Sequence, residues 1–103
     1  MVVKSGVIEF EWDKANLDKS YQKHSITPKE AEEVFLDEES FVIPDVKHSQ
    51  KESRYIILGK TFEEKRLFIV FTIREKKIRI ISSRQMHKKE AEKYDKAQKD
   101  SQV

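Results

Sequence analysis

Residues 66–84, RLFIVFTIREKKIRIISSR, restrict the fold of this chain more than any other segment. The first half is almost continuously apolar and the second half alternates, as expected of strands in a sheet. The two polar residues between them, Glu75 and Lys76, are enough for a two-residue turn, which forces the strands to run antiparallel. The segment therefore predicts a long hairpin at the centre of the fold.

Shorter strands are predicted on both sides of this hairpin, at residues 7–12, 41–46 and 53–60. Pro44 has no backbone N–H to donate, so its strand should lie at an edge of the sheet or carry a bulge. We therefore expect an α+β fold with an antiparallel sheet of about four to five strands.

Three helices are predicted around this sheet. The clearest begins at ITPKEA, where Thr27 is the expected N-cap and Glu30 its reciprocal partner, and it should run to about residue 37. An earlier helix is expected over 13–24, and both N-terminal helices should pack on one face of the sheet. A polar C-terminal helix is expected over 87–98, followed by a frayed tail at about 99–103.

Length and composition indicate the number of domains and which kinds of site the chain can hold. A chain of 103 residues predicts a single domain over 1–103. It has no cysteine, and its three histidines are widely spaced, so we expect neither a metal site nor a cofactor. No apolar run is long enough to span a membrane and no signal-peptide pattern is seen, so we expect a cytoplasmic protein without a membrane partner.

The strand pattern predicts one apolar and one basic sheet face. A turn at 75–76 sets Arg74 opposite Lys77, Thr72 opposite Arg79 and Phe68 opposite Ser83. A three-residue turn at 63–65 would place Arg54 beside Arg74, with Glu52 just beyond. The basic face would then carry Glu52, Arg54, Thr72, Arg74, Lys77, Arg79 and Ser83, with Arg84 at the strand exit.

Arginine on this face favours anion binding, because a guanidinium group recognises phosphate through two parallel hydrogen bonds. The charge distribution also favours an anionic partner for the second half of the chain. Residues 1–52 hold 7 Lys and Arg against 12 Asp and Glu, whereas residues 53–103 hold 14 Lys and Arg against 7 Asp and Glu. His48 and Glu52, just before the strand at 53–60, could supply acid and base groups. The alternative is that Glu52 pairs with Arg54 or Arg74 and the face is merely solvated.

Five segments, taken in order, resemble the BrnT-type toxins of bacterial type II toxin–antitoxin systems. They are FEWDKAN at 10–16, KH at 23–24, EAEEVFLDE at 30–38, HSQKESRYIILG at 48–59 and TIREKKIRIISSRQMHKKEAEKY at 72–94. The resemblance implies a RelE-like fold and a metal-independent endoribonuclease that arrests growth. It also implies a cognate BrnA-like antitoxin that neutralises the toxin and carries the complex to operator DNA.

A metal-free ribonuclease needs a base for the 2′-hydroxyl of RNA, cations for the crowded phosphorane and an acid for the 5′-oxygen. We expect Arg54, Arg74 and Arg79 to hold the phosphate, Glu52 or His48 to be the base, and a histidine or arginine to be the acid. Further RNA contacts are expected from Lys23, His24, Thr72, Lys77, Ser83 and Arg84. The alternative function is a non-catalytic module that binds nucleic acid or an antitoxin.

Overall fold

A computed structural model describes residues 9–12, 25–48 and 51–101. Five strands of the described part form one sheet in the order β1-β5-β4-β3-β2. The helix predicted over 13–24 lies outside the described residues. The described elements are β1 (Phe10–Trp12), α1 (Pro28–Val34), β2 (Phe41–Pro44), a 3-10 turn (Val46–His48), β3 (Arg54–Lys60), β4 (Arg66–Arg74), β5 (Lys77–Gln85) and α2 (Lys88–Ser101).

The sheet is mixed, so the expectation of a wholly antiparallel sheet is wrong at β1. This strand runs parallel to β5, with Phe10 opposite Ile78 and Trp12 opposite Ile80. Alternating side chains indicate which residues share a face, but they do not encode strand direction. Only a short connection forces antiparallel pairing, and β1 is far from β5 along the chain. The other neighbouring pairs are antiparallel, and β2 with Pro44 is an edge strand, as predicted.

Helix α1 begins at the predicted capping box. The hydroxyl of Thr27 accepts the Glu30 N–H at 3.2 Å, and the Glu30 carboxylate accepts the Thr27 N–H at 3.0 Å. The helix ends at Val34, earlier than predicted, and Phe35 is its C-cap. Phe35 packs edge-on against Phe71 of the sheet, with the ring centroids 5.0 Å apart.

The face of the sheet under α1 is the apolar core. Alternate apolar residues of β3, β4 and β5 are buried there, except that Tyr55 is only partly buried and Ile73 at the hairpin end is half-exposed. The core consists of Ile26, Ala31, Val34, Phe35, Ile57, Leu67, Ile69, Phe71, Ile78 and Ile80.

The central hairpin turns at Glu75 and Lys76 as predicted, and both residues have positive φ, as a type I′ hairpin turn requires. A β-bulge at Val70 and Phe71 then shifts the pairing of β4 with β5 by one residue on the side away from the turn. Because one extra residue exchanges the two faces of a strand, Phe68 lies opposite Arg84 instead of Ser83. The predicted face of Ser83 is therefore wrong.

The loop between β3 and β4 is longer than predicted. It spans residues 61–65 and is closed by a hydrogen bond from the Thr61 N–H to the Lys65 carbonyl at 2.9 Å. Arg54 therefore lies opposite Thr72, and not opposite Arg74. The shift is two residues, so the side chains keep their predicted face.

Helix α2 covers one end of the second sheet face. The ring of Tyr94 is buried and stacks on Phe41 of β2, with centroids 6.3 Å apart. Its hydroxyl donates to the carboxylate of Asp37, which also accepts the Lys60 N–H at 3.0 Å. Neither described helix is long and apolar enough to cross a membrane.

A second contact fixes the start of α2. The guanidinium of Arg84 lies 3.8 Å from the centroid of the Phe68 ring and donates two hydrogen bonds to the Glu90 carboxylate, at 2.7 and 2.9 Å. Glu90 also accepts the His87 N–H at 2.8 Å. Among the described residues, no helix packs over the opposite end of this face, where β3 begins and β4 turns into β5.

Gly59 tests the packing of α1 on the sheet. A Cβ atom at this position would lie 2.8 Å from Val34 Cγ1 and 3.0 Å from Ser40 Cβ. We expect Gly59→Ala to lower the free energy of unfolding by about 1–3 kcal/mol, because overpacking displaces buried atoms. Urea unfolding measures the effect, and exposed Ser82→Ala is the control, with a change within about 0.5 kcal/mol. Unchanged stability of Gly59→Ala would contradict this packing.

Glu90 predicts a pH dependence of stability. The hydrogen bonds from Arg84, and then from the His87 N–H, lower the pKa of Glu90. A lowered folded-state pKa gives stability that is present above the unfolded value of about 4.3 and is lost as the pH falls through the folded value. Urea unfolding between about pH 3 and 7 should therefore show a weaker acid dependence for Glu90→Gln than for the unaltered protein. The exposed control Glu92→Gln should keep the full dependence, and identical pH profiles for the two variants would contradict the assignment.

Candidate active site

A row of side chains crosses the uncovered end of the second face. Arg54 of β3 lies opposite Thr72 of β4, and Thr72 lies opposite Arg79 of β5. Neighbouring strands are about 4.8 Å apart, so the backbones at Arg54 and Arg79 are separated by about 10 Å. Glu11 of β1, opposite Arg79, extends the row. Two long guanidinium side chains at this spacing can reach one phosphate group from both sides.

The next row lies at the hairpin end. Arg74 and Lys77 face each other across β4 and β5, as predicted. Arg74 Nη2 lies 2.9 Å from Glu52 Oε2 in a surface ion pair, and Lys77 Nζ lies 4.0 Å from Glu9 Oε2. The contact of Glu52 with Arg74 is the one that the solvated-face alternative predicts.

An open cleft of about 580 Å³ lies beside these rows. The loop between β2 and β3 forms one wall, and the first residue of β3 and the last residue of β4 form the other. We call it the basic cleft, and its lining residues are Lys47, His48, Lys51, Glu52, Arg54 and Arg74. Four cationic side chains thus surround one carboxylate, which makes the cleft attractive to an anion.

Glu52 is ionised in this setting. The hydrogen bond from Arg74 lowers the pKa of Glu52, and the charges of Arg74, Arg54 and Arg79 lower it further. The same contact raises the pKa of Arg74. A carboxylate with a lowered pKa is a weak proton acceptor at neutral pH, so Glu52 is better suited to orient Arg74 than to act as a base.

His48 is the second group expected as a base, and it lines the basic cleft. Its side chain is 58% exposed, and its Nδ1 lies 3.0 Å from Asp45 Oδ2. The 3-10 turn after β2 carries the ring to this position. An accessible imidazole in this position can accept a proton from a hydroxyl group of a bound ligand.

The structure does not bring every expected residue to the cleft. Thr72 is 2% exposed and its hydroxyl donates to the Ser53 carbonyl at 2.7 Å. Ser83 is buried opposite Ile69, and Arg84 lies under α2 with Glu90. Positions 23 and 24 lie outside the described residues. Within the described ranges, no three His, Asp or Glu side chains lie close enough to hold a metal ion.

Sequence reasoning missed four residues that the fold places at the cleft, in contact with His48 or in the row of Arg54 and Arg79. Lys47 and Lys51 flank His48 in VKHSQKES, and this basic spacing was a usable signal. Asp45, three residues before His48, had the spacing of a one-turn contact. Glu11 could not be found from the sequence, because its place depends on the parallel pairing of β1.

The chain matches the family model described as "Ribonuclease toxin, BrnT, of type II toxin-antitoxin system" over residues 12–90, and this confirms the resemblance predicted from the motifs. Among solved structures it is similar to the 1.1 Å crystal structure of the Brucella abortus ribonuclease toxin BrnT. The TM-score is 0.62 at 19% identity, and the match covers 80% of this chain and 100% of that chain. No curated protein matches the chain. The family match includes every residue of the basic cleft.

Arg54 tests whether the cleft binds a polyanion. We expect Arg54→Ala to weaken binding of an uncleavable 2′-O-methyl RNA oligonucleotide about tenfold and to reduce the salt dependence by about one charge. Fluorescence anisotropy at several salt concentrations measures both quantities. Arg66→Ala is the control of equal charge change, since Arg66 pairs with Asp95 at the far end of β4. Equal losses in the two variants would contradict a local site.

Proposed function

Since the chain belongs to the BrnT family of ribonuclease toxins of type II toxin–antitoxin systems, we propose that it is a metal-independent endoribonuclease that arrests growth. The observation that supports this most directly is that Arg54, Arg74 and His48 line one cleft at the uncovered end of the sheet. Arg79 lies two strands from Arg54 in the same row of the sheet. These groups supply the phosphate contacts and the base that such a reaction needs. The fold is proposed to be related to that of RelE-like toxins.

The substrate is an RNA strand whose backbone follows the basic cleft. Lys47 and Lys51 lie on the loop side of the cleft and Arg54 and Arg74 on the sheet side, so a phosphodiester between them is held from both sides. Lys77 lies opposite Arg74, where a neighbouring phosphate would leave the cleft. The cleft is open, which suits a chain that enters at one side and leaves at the other.

The reaction uses the 2′-hydroxyl of RNA as nucleophile. Nε2 of His48 takes the proton, the 2′-oxygen attacks phosphorus, and Arg54 and Arg79 stabilise the negative charge of the phosphorane. The bond from phosphorus to the 5′-oxygen then breaks, and that oxygen takes up a proton from a cationic group of the cleft. The products are a 2′,3′-cyclic phosphate, or a 3′-phosphate once water has opened the ring, and a 5′-hydroxyl end.

Arg74 and Glu52 act as a unit in this proposal. Arg74 Nη2 donates one hydrogen bond to Glu52 Oε2 at 2.9 Å, and this contact keeps the guanidinium beside the cleft. Glu52 is thus assigned a positioning role, and His48 is preferred as the base. Lys23 and His24 remain secondary candidates for RNA contacts.

The proposed partners follow from the type of system. A type II toxin has a protein antitoxin, and we propose a cognate BrnA-like protein that neutralises this chain. Operator DNA would then be bound through the DNA-binding domain of the antitoxin, and only indirectly by the toxin. Isothermal titration of the toxin with the product of the adjacent gene tests the direct contact.

A second candidate function is a module that binds RNA or an antitoxin without cleaving. The Glu52–Arg74 ion pair favours it, because one carboxylate already occupies part of the basic cleft. The two functions share the same cations and differ in whether His48 transfers a proton.

His48→Ala separates the two functions. We expect it to lower kcat about 10²- to 10⁴-fold, as loss of a general base does, while RNA binding changes less than about twofold. Mapping RNA ends gives the products, and EDTA should leave the rate unchanged. The control His87→Ala alters an exposed histidine before α2 and should keep full activity. Binding without cleavage by the unaltered protein would favour the second function, and inhibition by EDTA would contradict metal independence.

A further inference from the structure

The carboxylate of Asp45 contacts the imidazole of His48 with both oxygens. Nδ1 of His48 lies 3.1 Å from Oδ1 and 3.0 Å from Oδ2. The two side chains differ in exposure, 12% for Asp45 and 58% for His48. A largely buried carboxylate thus holds one edge of an accessible ring.

The backbone fixes this pair relative to the arginines. The Asp45 N–H donates to the Arg54 carbonyl at 2.9 Å, which joins the turn to the first residue of β3. The His48 N–H donates to the Asp45 carbonyl at 3.3 Å and closes the 3-10 turn. These backbone bonds hold the turn without the side chains, and a contact with a solvent-exposed imidazole adds little stability, so the turn does not depend on the Asp45–His48 contact.

The contact decides which ring nitrogen is basic. A neutral imidazole carries one hydrogen, and a carboxylate at Nδ1 holds that hydrogen on Nδ1. The lone pair then lies on Nε2, which makes no hydrogen bond within the described part of the chain. Because the ring lines the basic cleft, this nitrogen is available to a bound substrate.

Charge gives a second reason for the pair. Taking a proton makes the ring an imidazolium inside a cleft that already holds four cationic side chains. The charged groups lining the cleft with the ring are Lys47, Lys51, Arg54, Arg74 and Glu52. Glu52 is bound to Arg74, so Asp45 is the carboxylate in direct contact with the new charge.

We infer that Asp45 is a positioning residue of the ribonuclease: it holds His48 in the tautomer whose Nε2 accepts the 2′-hydroxyl proton, and it stabilises the resulting imidazolium. This inference rests on the proposed function. In the step itself, the proton moves from the 2′-oxygen to Nε2 while the bond from that oxygen to phosphorus forms. The electron pair of the breaking bond stays on the 5′-oxygen, which is protonated by a cationic group of the cleft.

Asp45→Asn tests the inference in the full-length protein. We expect kcat to fall at least about tenfold, with KM changed less than about twofold, because orientation of the base is lost and substrate contacts remain. Loss of the negative charge destabilises the imidazolium, so the acid limb of the kcat/KM profile should move to lower pH. Asp95→Asn, which alters a partly exposed carboxylate at the other end of the sheet, should change neither quantity.

Two further measurements keep the test decisive. Proton–nitrogen NMR of His48 in the unaltered protein should show hydrogen on Nδ1 and a lone pair on Nε2, whether or not the protein is active. In a His48→Ala background, Asp45→Asn should have no further effect on the residual rate. The opposite tautomer, an equal loss in the His48→Ala background, or an Asp45→Asn variant with unaltered kcat and pH profile would each overturn the inference. Absence of cleavage by the unaltered protein, with the expected tautomer present, would instead overturn the proposed function.

Discussion

The pairing of β4 with β5 is the constraint on which the rest of the structure depends. Burial of alternate apolar residues under α1 fixes this register, because a slip of one residue would turn the basic side chains toward the core. The bulge at Val70/Phe71 also changes which residues of β5 share a face. It returns Arg84 to the same face as Arg79, toward the opposite end of β5, where Arg84 contacts Glu90 of α2.

Helix α2 divides that face into two environments. At the covered end, Arg66 and Arg84 meet carboxylates of the helix, Asp95 and Glu90, so their charges serve attachment of α2. At the open end, the basic cleft places four cations around the single carboxylate of Glu52. One sheet face can therefore contribute both to stability and to binding of a polyanion, because a helix covers only half of it.

Features set by local chemistry could be predicted from the sequence. The capping box at Thr27, the two-residue turn at Glu75 and Lys76 and the edge position of Pro44 depend on neighbouring residues alone. The shared face of Arg54 and Arg79 also follows, because strand alternation survives an error of two residues in register.

The remaining features depend on contacts distant in sequence or on the backbone. The parallel direction of β1 cannot be predicted without knowing that β5 is its partner, and the position of Glu11 depends on the same pairing. The bulge that moves Ser83 into the core has no residue signature in IRIISSR. The contact between Asp45 and His48 requires the 3-10 turn, which the segment VKH does not specify. Residue spacing therefore predicted that the arginines share one sheet face, but it could not show which groups touch.

The most direct test of the account is a structure of the protein bound to an RNA oligonucleotide with one 2′-deoxy nucleotide at the cleavage position. The account predicts that the scissile phosphate lies within hydrogen-bond distance of Arg54 and Arg79, about 2.7–3.1 Å. It also predicts that the deoxy carbon faces Nε2 of His48. A phosphate bound at the end covered by α2, or against α1, would contradict the central claim that the open end of the sheet is the ribonuclease site.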